Sequence, residues 1–201
     1  MKTFCKEGVI EVGVDEVGRG CLAGPVVAAC VIWPQDVDDE GIVRDSKKLS
    51  SIARAKAVDY IKETAIEYAI VFKDNNCVDD RNILQATYDA MHEGLDSLST
   101  PFDHILVDGD KFRPYLGRDD WVGHTCVIGG DNTYLSIGAA SILAKEARDA
   151  FMREVSQDPK YSVYGWDSNV GYGSSKHMEA IREHGLSDLH RKTFCTRILP
   201  L

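Results

Sequence analysis

Four acidic residues share one context in the sequence, since each follows a short apolar run and lies near glycine. They are Asp15, Glu16, Asp108 and Asp131. Ligand sites of an open α/β sheet gather outside the ends of its strands, so these carboxylates could meet there. Converging carboxylates repel each other, and two divalent cations would offset their charge. Hard oxygen ligands suit Mg²⁺ or Mn²⁺ rather than zinc. Two ions about 3.5–4 Å apart can clamp the attacking and leaving oxygens of a phosphoryl displacement.

Each acidic position, taken alone, also fits an ordinary structural role. The pair Asp108-Gly109 is typical of a turn. Asp131 precedes a predicted helix, where its side chain could cap the N-terminus and interact favourably with the helix dipole. The metal-site interpretation requires the four carboxylates to meet in space, which the sequence alone does not decide.

A glycine-rich segment, Gly18-Arg19-Gly20, follows the first two carboxylates. Its glycines would let backbone amides approach an anion closely, and Arg19 could reach a phosphate. The alternative is a flexible turn between two strands. The segment is not the dinucleotide-binding fingerprint, because a third glycine at the required spacing and a following helix are missing.

The elements that must position these residues alternate between strands and helices. Apolar patterning predicts strands over 9–14, 26–33, 65–72, 105–107 and 125–128, and helices over 50–64, 82–98, 134–155 and 174–185. This alternation predicts an α/β layer fold. The first two strands lie too close in sequence for a crossover helix, so they should pair antiparallel and the sheet should be mixed.

Length and composition exclude several classes of protein. The chain has 201 residues, of which 44% are hydrophobic and 27% charged, which fits one globular domain and excludes a disordered chain. No apolar run approaches the ~18 residues of a membrane helix, and the first residues show no signal-peptide stretch. The net charge of −9 would by itself argue against a nucleic-acid partner. Cations bound at the acidic site would change the surface that a phosphate meets, so modest, salt-sensitive affinity is expected.

The cysteines indicate a reducing compartment. There are six, scattered along the chain, with no C-x-x-C pair and no metal-spaced histidine, so a zinc site is not expected. Several lie in apolar runs, where cysteine acts as a small hydrophobic residue. We expect reduced thiols and a cytoplasmic location.

Seven segments in order resemble those of ribonuclease HII, the type 2 ribonuclease H family. They are 13–29, 45–50, 82–87, 107–109, 130–149, 171–174 and 190–194. The segment Gly13-Val14-Asp15-Glu16-Val17-Gly18-Arg19-Gly20 is close to the family's opening motif and favours the HII over the HIII type. Two departures stand out, since Gly129 replaces a common lysine and Asp110 adds a carboxylate near the site.

The resemblance implies a ribonuclease H-like α/β fold, a mixed β-sheet flanked by helices, in a single catalytic domain over 1–201. A small C-terminal helical part, about 160–201, would carry a substrate-reading tyrosine, Tyr172. The implied activity is cleavage of the RNA strand of RNA–DNA hybrids and incision 5′ of ribonucleotides embedded in duplex DNA, leaving 3′-hydroxyl and 5′-phosphate ends. The implied cofactors are two Mg²⁺ or Mn²⁺ ions. The partners would be these nucleic acids and no membrane, with a monomer as the default.

The resemblance also assigns roles to residues. Asp15, Glu16, Asp108 and Asp131 would be both catalytic and metal-binding, whereas Gly18, Arg19, Gly20, Ser46, Lys47, Lys48, Lys145 and Tyr172 would bind substrate. The backbone of Gly18-Arg19-Gly20 and the Tyr172 hydroxyl would read the ribose 2′-OH, the group that distinguishes RNA from DNA. Without the resemblance, Tyr172 would be a core aromatic, the two lysines 47 and 48 a solvated helix entry, and Lys145 a surface residue or the partner of Glu146 or Asp149.

Three histidines are expected to be structural rather than catalytic: His177, His184 and His190. Two rival functions stay open. One is a related two-metal nuclease acting on DNA, and the other is a non-catalytic protein that binds RNA–DNA hybrids on the same fold.

Overall fold

The computed structural model describes residues 1–39, 41–43, 50–117 and 120–199, in which six strands alternate with seven helices. The strands are β1 (Glu11–Val17), β2 (Val26–Ile32), β3 (Glu67–Lys73), β4 (His104–Asp108), β5 (Tyr115–Leu116) and β6 (Trp121–Val127). The helices are α1 (Ser51–Thr64), α2 (Asn75–Arg81), α3 (Ile83–Asp96), α4 (Leu135–Val155), α5 (Trp166–Asn169), α6 (Ser175–His184) and α7 (Lys192–Cys195).

The strands form one sheet in the order β3-β2-β1-β4-β6-β5. Strand β1 pairs antiparallel with β2, with Val12 opposite Ile32. It pairs parallel with β4, which pairs parallel with β6. The mixed sheet and the antiparallel first pair that the sequence predicts are therefore confirmed. The three parallel strands β1, β4 and β6 end at the same edge of the sheet.

Helices cover both faces of this sheet. Helix α3 packs on the face that carries Val12 and Val14 of β1, whereas α1 and α4 pack on the opposite face. All seven residues of β2 are buried, as expected for an unbroken apolar run between two helical layers. Helix α4 lies directly on β1, since a Cβ added to Gly13 would be 2.2 Å from the backbone carbon of Ser136. The residues of α4 that follow, Gly138 to Ser141, are small and buried as well.

The element boundaries differ from the predicted ones in two ways that concern the site. Strand β1 runs to Val17, so Asp15 and Glu16 lie inside a strand rather than after it. Asp131 does not cap helix α4. It lies in the 3₁₀ turn Gly130–Asn132, and α4 begins at Leu135 after Tyr134, which gives no side-chain cap. The intervening residues of the turn displace Asp131 from the helix end and leave its carboxylate free of that role.

The short elements were missed because they carry too little periodicity. Strand β5 has two residues and α2 has seven. Helix α2 is capped by Asp74, whose side chain accepts a hydrogen bond from the Cys77 amide. Beyond α4, the short helices surround a cluster that includes Met152, Tyr164, Trp166 and Ile181. All six cysteines are free. Over the part of the chain that is described, no helix is long and apolar enough to cross a membrane.

Candidate active site

The sheet edge at the ends of β1, β4 and β6 gathers the four predicted carboxylates. Asp15 and Glu16 are the fifth and sixth residues of β1, and Asp108 is the last residue of β4. Asp131 follows β6 by four residues. Because these strands are parallel, their carboxyl ends lie at the same edge of the sheet. Ligands of open α/β sheets bind at this edge.

Asp15 and Glu16 leave the strand on opposite faces, since successive side chains of a strand alternate. Asp15 points to the α4 face, where it accepts a hydrogen bond from Ser141, and is only 6% exposed. Burial, and then the neighbouring Glu16 and Asp108 carboxylates, raise the pKa of Asp15 well above its ordinary value. Burial also raises the pKa of Glu16, although Arg19, whose Nη1 lies 3.2 Å from the Glu16 Oε1, opposes this effect.

Asp108 and Asp131 are brought together by the turn that follows β6. The Oδ1 of Asp108 accepts the Gly130 amide at 2.7 Å. A Cβ at Gly130 would lie 2.6 Å from the Ile137 Cδ1, so a larger residue there would require the Ile137 side chain to shift. Burial and then the Asp131 charge raise the pKa of Asp108. Asp131 is 8% exposed and accepts the Asn132 side-chain amide at 3.0 Å.

The donor set fits hard divalent cations. Asp15, Glu16 and Asp108 all have raised pKa values, chiefly through burial. Neighbouring carboxylates add to this, since Asp108 acts on Asp15 and Glu16, and Asp131 acts on Asp108, so a cation at this edge would offset unfavourable negative charge. Carboxylate oxygens are the ligands that Mg²⁺ and Mn²⁺ prefer. Within the described ranges, however, no group of three or more acidic, histidine or cysteine side chains is gathered tightly enough to hold a metal as it stands. Asp15 and Glu16 point to opposite faces of β1, which keeps their carboxylates apart.

The glycine-rich segment turns back beside these carboxylates. Gly18 has φ +90°, and a Cβ there would lie 2.2 Å from the Nε of Arg148. The Arg19 side chain is half exposed and reaches Glu16. Gly20 is exposed, and a Cβ added to it would meet nothing within 4 Å. The segment is thus fixed on one side and open on the other.

Two fully buried arginines, Arg148 and Arg191, hold the main chain at this segment and just after it. Only Arg191 donates a hydrogen bond to the segment itself, at Arg19. Arg148 donates to the carbonyls of Pro25 (2.9 Å), Val170 (2.8 Å) and Ala23 (3.0 Å). Arg191 donates to the carbonyls of Gly24 and Arg19, both at 3.0 Å. Neither forms an ion pair with any residue that the structure describes. We name them the arginine pair.

One bond of the arginine pair also orients a main-chain donor. The carbonyl of Arg19 points to Arg191, and the carbonyl of a residue and the next N–H point to opposite sides of a planar trans peptide. The N–H of Gly20 therefore faces away from the protein interior, on the exposed side of the segment.

Tyr172 lies across from the glycine-rich segment, over the arginine pair. Its side chain is 41% exposed, which contradicts the core-aromatic alternative. The Arg148 guanidinium carbon lies 5.8 Å from the ring centroid, and the hydroxyl is hydrogen-bonded to the thiol of the buried Cys21. Burial and then Cys21 raise the pKa of Tyr172 to about 12, so the phenol keeps its proton at neutral pH and can donate.

For the other predicted substrate-binding residues, the structure gives contacts for Lys145 alone. The Lys145 Nζ lies 2.7 Å and 2.8 Å from the two Asp149 carboxylate oxygens, so the ion pair that the sequence left open is present. The contact of Lys145 with substrate stays a prediction. Ser46, Lys47 and Lys48 lie outside the described residues. Gly129 has φ +68°, a left-handed conformation that glycine adopts without strain and that a lysine would disfavour.

Sequence reasoning did not assign the arginine pair or Cys21 to the site. One signal was available for Arg148, which stands four residues after Ala144 and four before Met152 on the buried face of α4. An arginine on an apolar helical stripe needs buried acceptors. The acceptors here are carbonyls more than 20 residues away, and no local pattern in the sequence indicates them.

Comparison with known proteins places the chain in a family. The sequence matches the family model "Ribonuclease HII" over residues 12–197. Ribonuclease HII of Parabacteroides distasonis is 45% identical over 191 residues, which cover 95% of this chain and 92% of that protein. Ribonuclease HII of Cytophaga hutchinsonii is 42% identical over 193 residues, with coverages of 96% and 92%.

Two solved structures share the fold at lower identity. The crystal structure of ribonuclease H2 from Pyrococcus horikoshii OT3 has a TM-score of 0.74 at 23% identity and covers 94% of this chain and 96% of its own. The structure of Bst-RNase HIII in complex with Mn²⁺ has a TM-score of 0.65 at 22% identity, with coverages of 95% and 69%. The mixed sheet flanked by helices is therefore a ribonuclease H-like fold. On the family match and the identity over nearly its whole length, the chain belongs to the ribonuclease HII family of endonucleolytic hydrolases.

Proposed function

We propose that this protein is an endoribonuclease that cleaves the RNA strand of RNA–DNA hybrids and incises duplex DNA on the 5′ side of embedded ribonucleotides. The observation that carries the proposal is the gathering of Asp15, Glu16, Asp108 and Asp131 at one sheet edge, beside the exposed Gly18-Arg19-Gly20 segment and Tyr172. An acidic group of this kind suits phosphoryl chemistry with divalent cations, and the neighbouring donors suit recognition of a ribose.

The four carboxylates would hold two Mg²⁺ or Mn²⁺ ions. The chemistry that such ions supply when bound is activation of a water for in-line attack and stabilisation of the departing 3′ oxygen. Asp15 and Asp108 are held in place by hydrogen bonds from Ser141 and the Gly130 amide, so they are oriented before a cation binds. The products would carry 3′-hydroxyl and 5′-phosphate ends.

Ribose recognition would come from the other side of the site. The Gly20 N–H faces out of the segment, and the Tyr172 phenol keeps its proton, so both can donate to a ribose oxygen or a phosphate. The Tyr172 ring would also stack on a neighbouring sugar. Lys145, together with Ser46, Lys47 and Lys48, would contact the phosphate backbone of the duplex. We further propose that the chain acts as a monomer, a single catalytic unit over 1–201.

The test uses three labelled duplexes of one sequence: all DNA, DNA with one ribonucleotide, and an RNA–DNA hybrid. With Mg²⁺ or Mn²⁺ we expect cleavage of the second and third, with one cut on the 5′ side of the single ribonucleotide and a ligatable 5′-phosphate. Chelation of the cation with EDTA should stop cleavage. Binding without cleavage would favour the non-catalytic alternative, and cutting of the all-DNA duplex would favour a two-metal DNA nuclease. Either result would refute the proposal.

Tyr172→Phe tests the ribose-reading role. We define ribose selectivity as the ratio of kcat/KM for a duplex with one ribonucleotide to kcat/KM for the same duplex with a 2′-fluoro nucleotide at that position. Loss of the phenol donor should lower this ratio by about tenfold, which corresponds to one good hydrogen bond. The exposed Tyr68, on β3, gives the matched control, because Tyr68→Phe removes a hydroxyl elsewhere. An unchanged ratio for Tyr172→Phe would exclude the hydroxyl as a ribose reader.

A further inference from the structure

A buried chain of polar side chains ends on the backbone of Tyr172. The Nδ1 of His177 lies 2.8 Å from the Tyr172 carbonyl oxygen. The Nε2 of His177 lies 3.0 Å from the Trp166 Nε1 and 3.1 Å from the Nε2 of His190. The Nδ1 of His190 lies 2.9 Å from the Ser187 amide nitrogen. Both imidazoles are fully buried.

These contacts fix the tautomer of each imidazole. The Ser187 N–H can only donate, so the Nδ1 of His190 accepts and its proton lies on Nε2. The Trp166 N–H can also only donate, so the Nε2 of His177 accepts from both Trp166 and His190. The remaining proton of His177 lies on Nδ1, where it donates to the carbonyl of Tyr172. In this arrangement each donor among these hydrogen-bonded groups meets an acceptor, and both imidazole rings are neutral.

The surroundings favour this neutral state. Rings of Tyr164 and Trp166 pack against both imidazoles, with the Tyr164 centroid 4.6 Å from that of His190. Asp188 is the acidic group nearest in the chain to His190, and its carboxylate is taken up by Lys160 and the Tyr161 hydroxyl. Burial, followed by the charge of His177, lowers the pKa of His190 to about 4, and burial lowers that of His177.

The backbone of Tyr172 is otherwise held by short-range bonds only. Its N–H donates to the Asn169 carbonyl at 2.9 Å, and its carbonyl also accepts the Ser174 amide at 2.8 Å. The residue two before it, Val170, has φ +43°, which is strained for a β-branched side chain. On the N-terminal side, the Gly171 carbonyl accepts the Leu22 amide at 2.8 Å, and His177 adds a side-chain contact at the Tyr172 carbonyl itself. The two contacts together set the path of the backbone that carries the Tyr172 ring.

We propose that His177 is a positioning residue, whose Nδ1–H holds the Tyr172 carbonyl and so directs the Tyr172 side chain toward a ribose. His190 and Trp166 both donate to the Nε2 of His177 and so keep the proton of His177 on Nδ1. This assignment rests on the proposed function, and it adds a residue that does not touch substrate. Its alternative is a purely structural role, in which the imidazoles only fill and satisfy the core around Trp166.

Two replacements of His177 separate these roles. The amide nitrogen of asparagine corresponds to Nδ1, so His177→Asn keeps a donor for the Tyr172 carbonyl and loses the acceptor for Trp166 and His190. The amide of glutamine corresponds to Nε2, so His177→Gln keeps an acceptor for Trp166 and His190 and loses the donor. His184→Asn and His184→Gln, at the exposed end of α6, are matched controls.

The measurements are ribose selectivity and the midpoint of urea unfolding for each variant. We expect His177→Gln to unfold near the wild-type midpoint and to lose about tenfold in selectivity, close to Tyr172→Phe. His177→Asn should unfold at lower urea and keep selectivity within about twofold. The assignment is overturned if selectivity follows stability instead, so that the glutamine variant keeps it and the asparagine variant loses it, or if neither variant changes it. A wild-type protein without ribose selectivity would instead refute the proposed function and this assignment with it.

Discussion

Replacing Asp15 with asparagine should lower cleavage of a ribonucleotide-containing duplex by about a thousandfold or more and, at the same time, make the protein more stable. The first effect follows because Asp15 lies at the centre of the acidic group, with Glu16 beside it and Asp108 close enough to raise its pKa. Loss of one charged ligand would remove several kcal/mol of charge stabilisation from the transition state, and about 4 kcal/mol is a thousandfold in rate.

The gain in stability comes from the removal of a charge that is unfavourable in the folded protein when no cation is bound. A raised pKa means that the ionised Asp15 is less stable in the folded protein than in the unfolded chain, chiefly because of burial. The neutral amide of asparagine has nearly the same shape and can still accept from Ser141. In EDTA, with no cation to offset the charge, the free energy of unfolding should rise by about 1 kcal/mol.

Urea unfolding in EDTA and steady-state cleavage in Mg²⁺ measure the two effects. Asp59→Asn is the control, since Asp59 is exposed on helix α1 and is not part of the acidic group. It should change neither quantity. If Asp15→Asn cleaved like the wild type, the metal-binding role of the sheet edge would be wrong. If it lost activity and stability together, the carboxylate would be a structural residue.

Alanine at Gly18 should be among the most destabilising single replacements at the site. The backbone there has φ +90°, where an L-residue is strained, and the new methyl carbon would lie 2.2 Å from the Nε and 2.6 Å from the Cδ of Arg148. Arg148 is held by three carbonyls and has no free space to move into. We expect a loss of about 3 kcal/mol in the free energy of unfolding, together with most of the cleavage activity.

Gly20→Ala is the internal control for the stability measurement. It lies two residues away, has no left-handed backbone angle and has open space where the methyl group would go. Its free energy of unfolding should stay within about 0.5 kcal/mol of the wild type. Equal losses for the two alanine variants would show that general flexibility of the segment, rather than the contact between Gly18 and Arg148, determines its stability.

The parts of the fold that the sequence predicted correctly are those with local causes. Ser50 caps α1 and Asn82 caps α3, at the residues where the predicted helices begin. The antiparallel first strand pair follows from a connection too short for a helix. The carboxylates at the ends of β4 and β6 follow from the way that parallel strands end, because Asp108 and Asp131 both come just after apolar runs.

What the sequence did not predict depends on distant partners. The end of β1 was placed too early because Asp15 and Glu16 are charged, whereas pairing with β2 continues through both of them. The capping role that the sequence left open as an alternative for Asp131 is excluded by the 3₁₀ turn. The acceptors of Arg148 could not be predicted, since they lie on the segment 23–25 and at Val170.

The arginine pair has a consequence for redesign of this surface. All five of its acceptors are main-chain carbonyls, so no bond of the pair uses a side chain at the acceptor positions. Gly24 is the exception to free substitution, because its φ is +79° and a Cβ there would lie 2.3 Å from the Met152 Sδ. Arg19 could lose its guanidinium and still present the same carbonyl to Arg191. The exposed side chains around the glycine-rich segment can therefore be varied by mutagenesis while its backbone path is retained, provided that the two buried arginines and the tightly packed Gly18 and Gly24 are left unchanged.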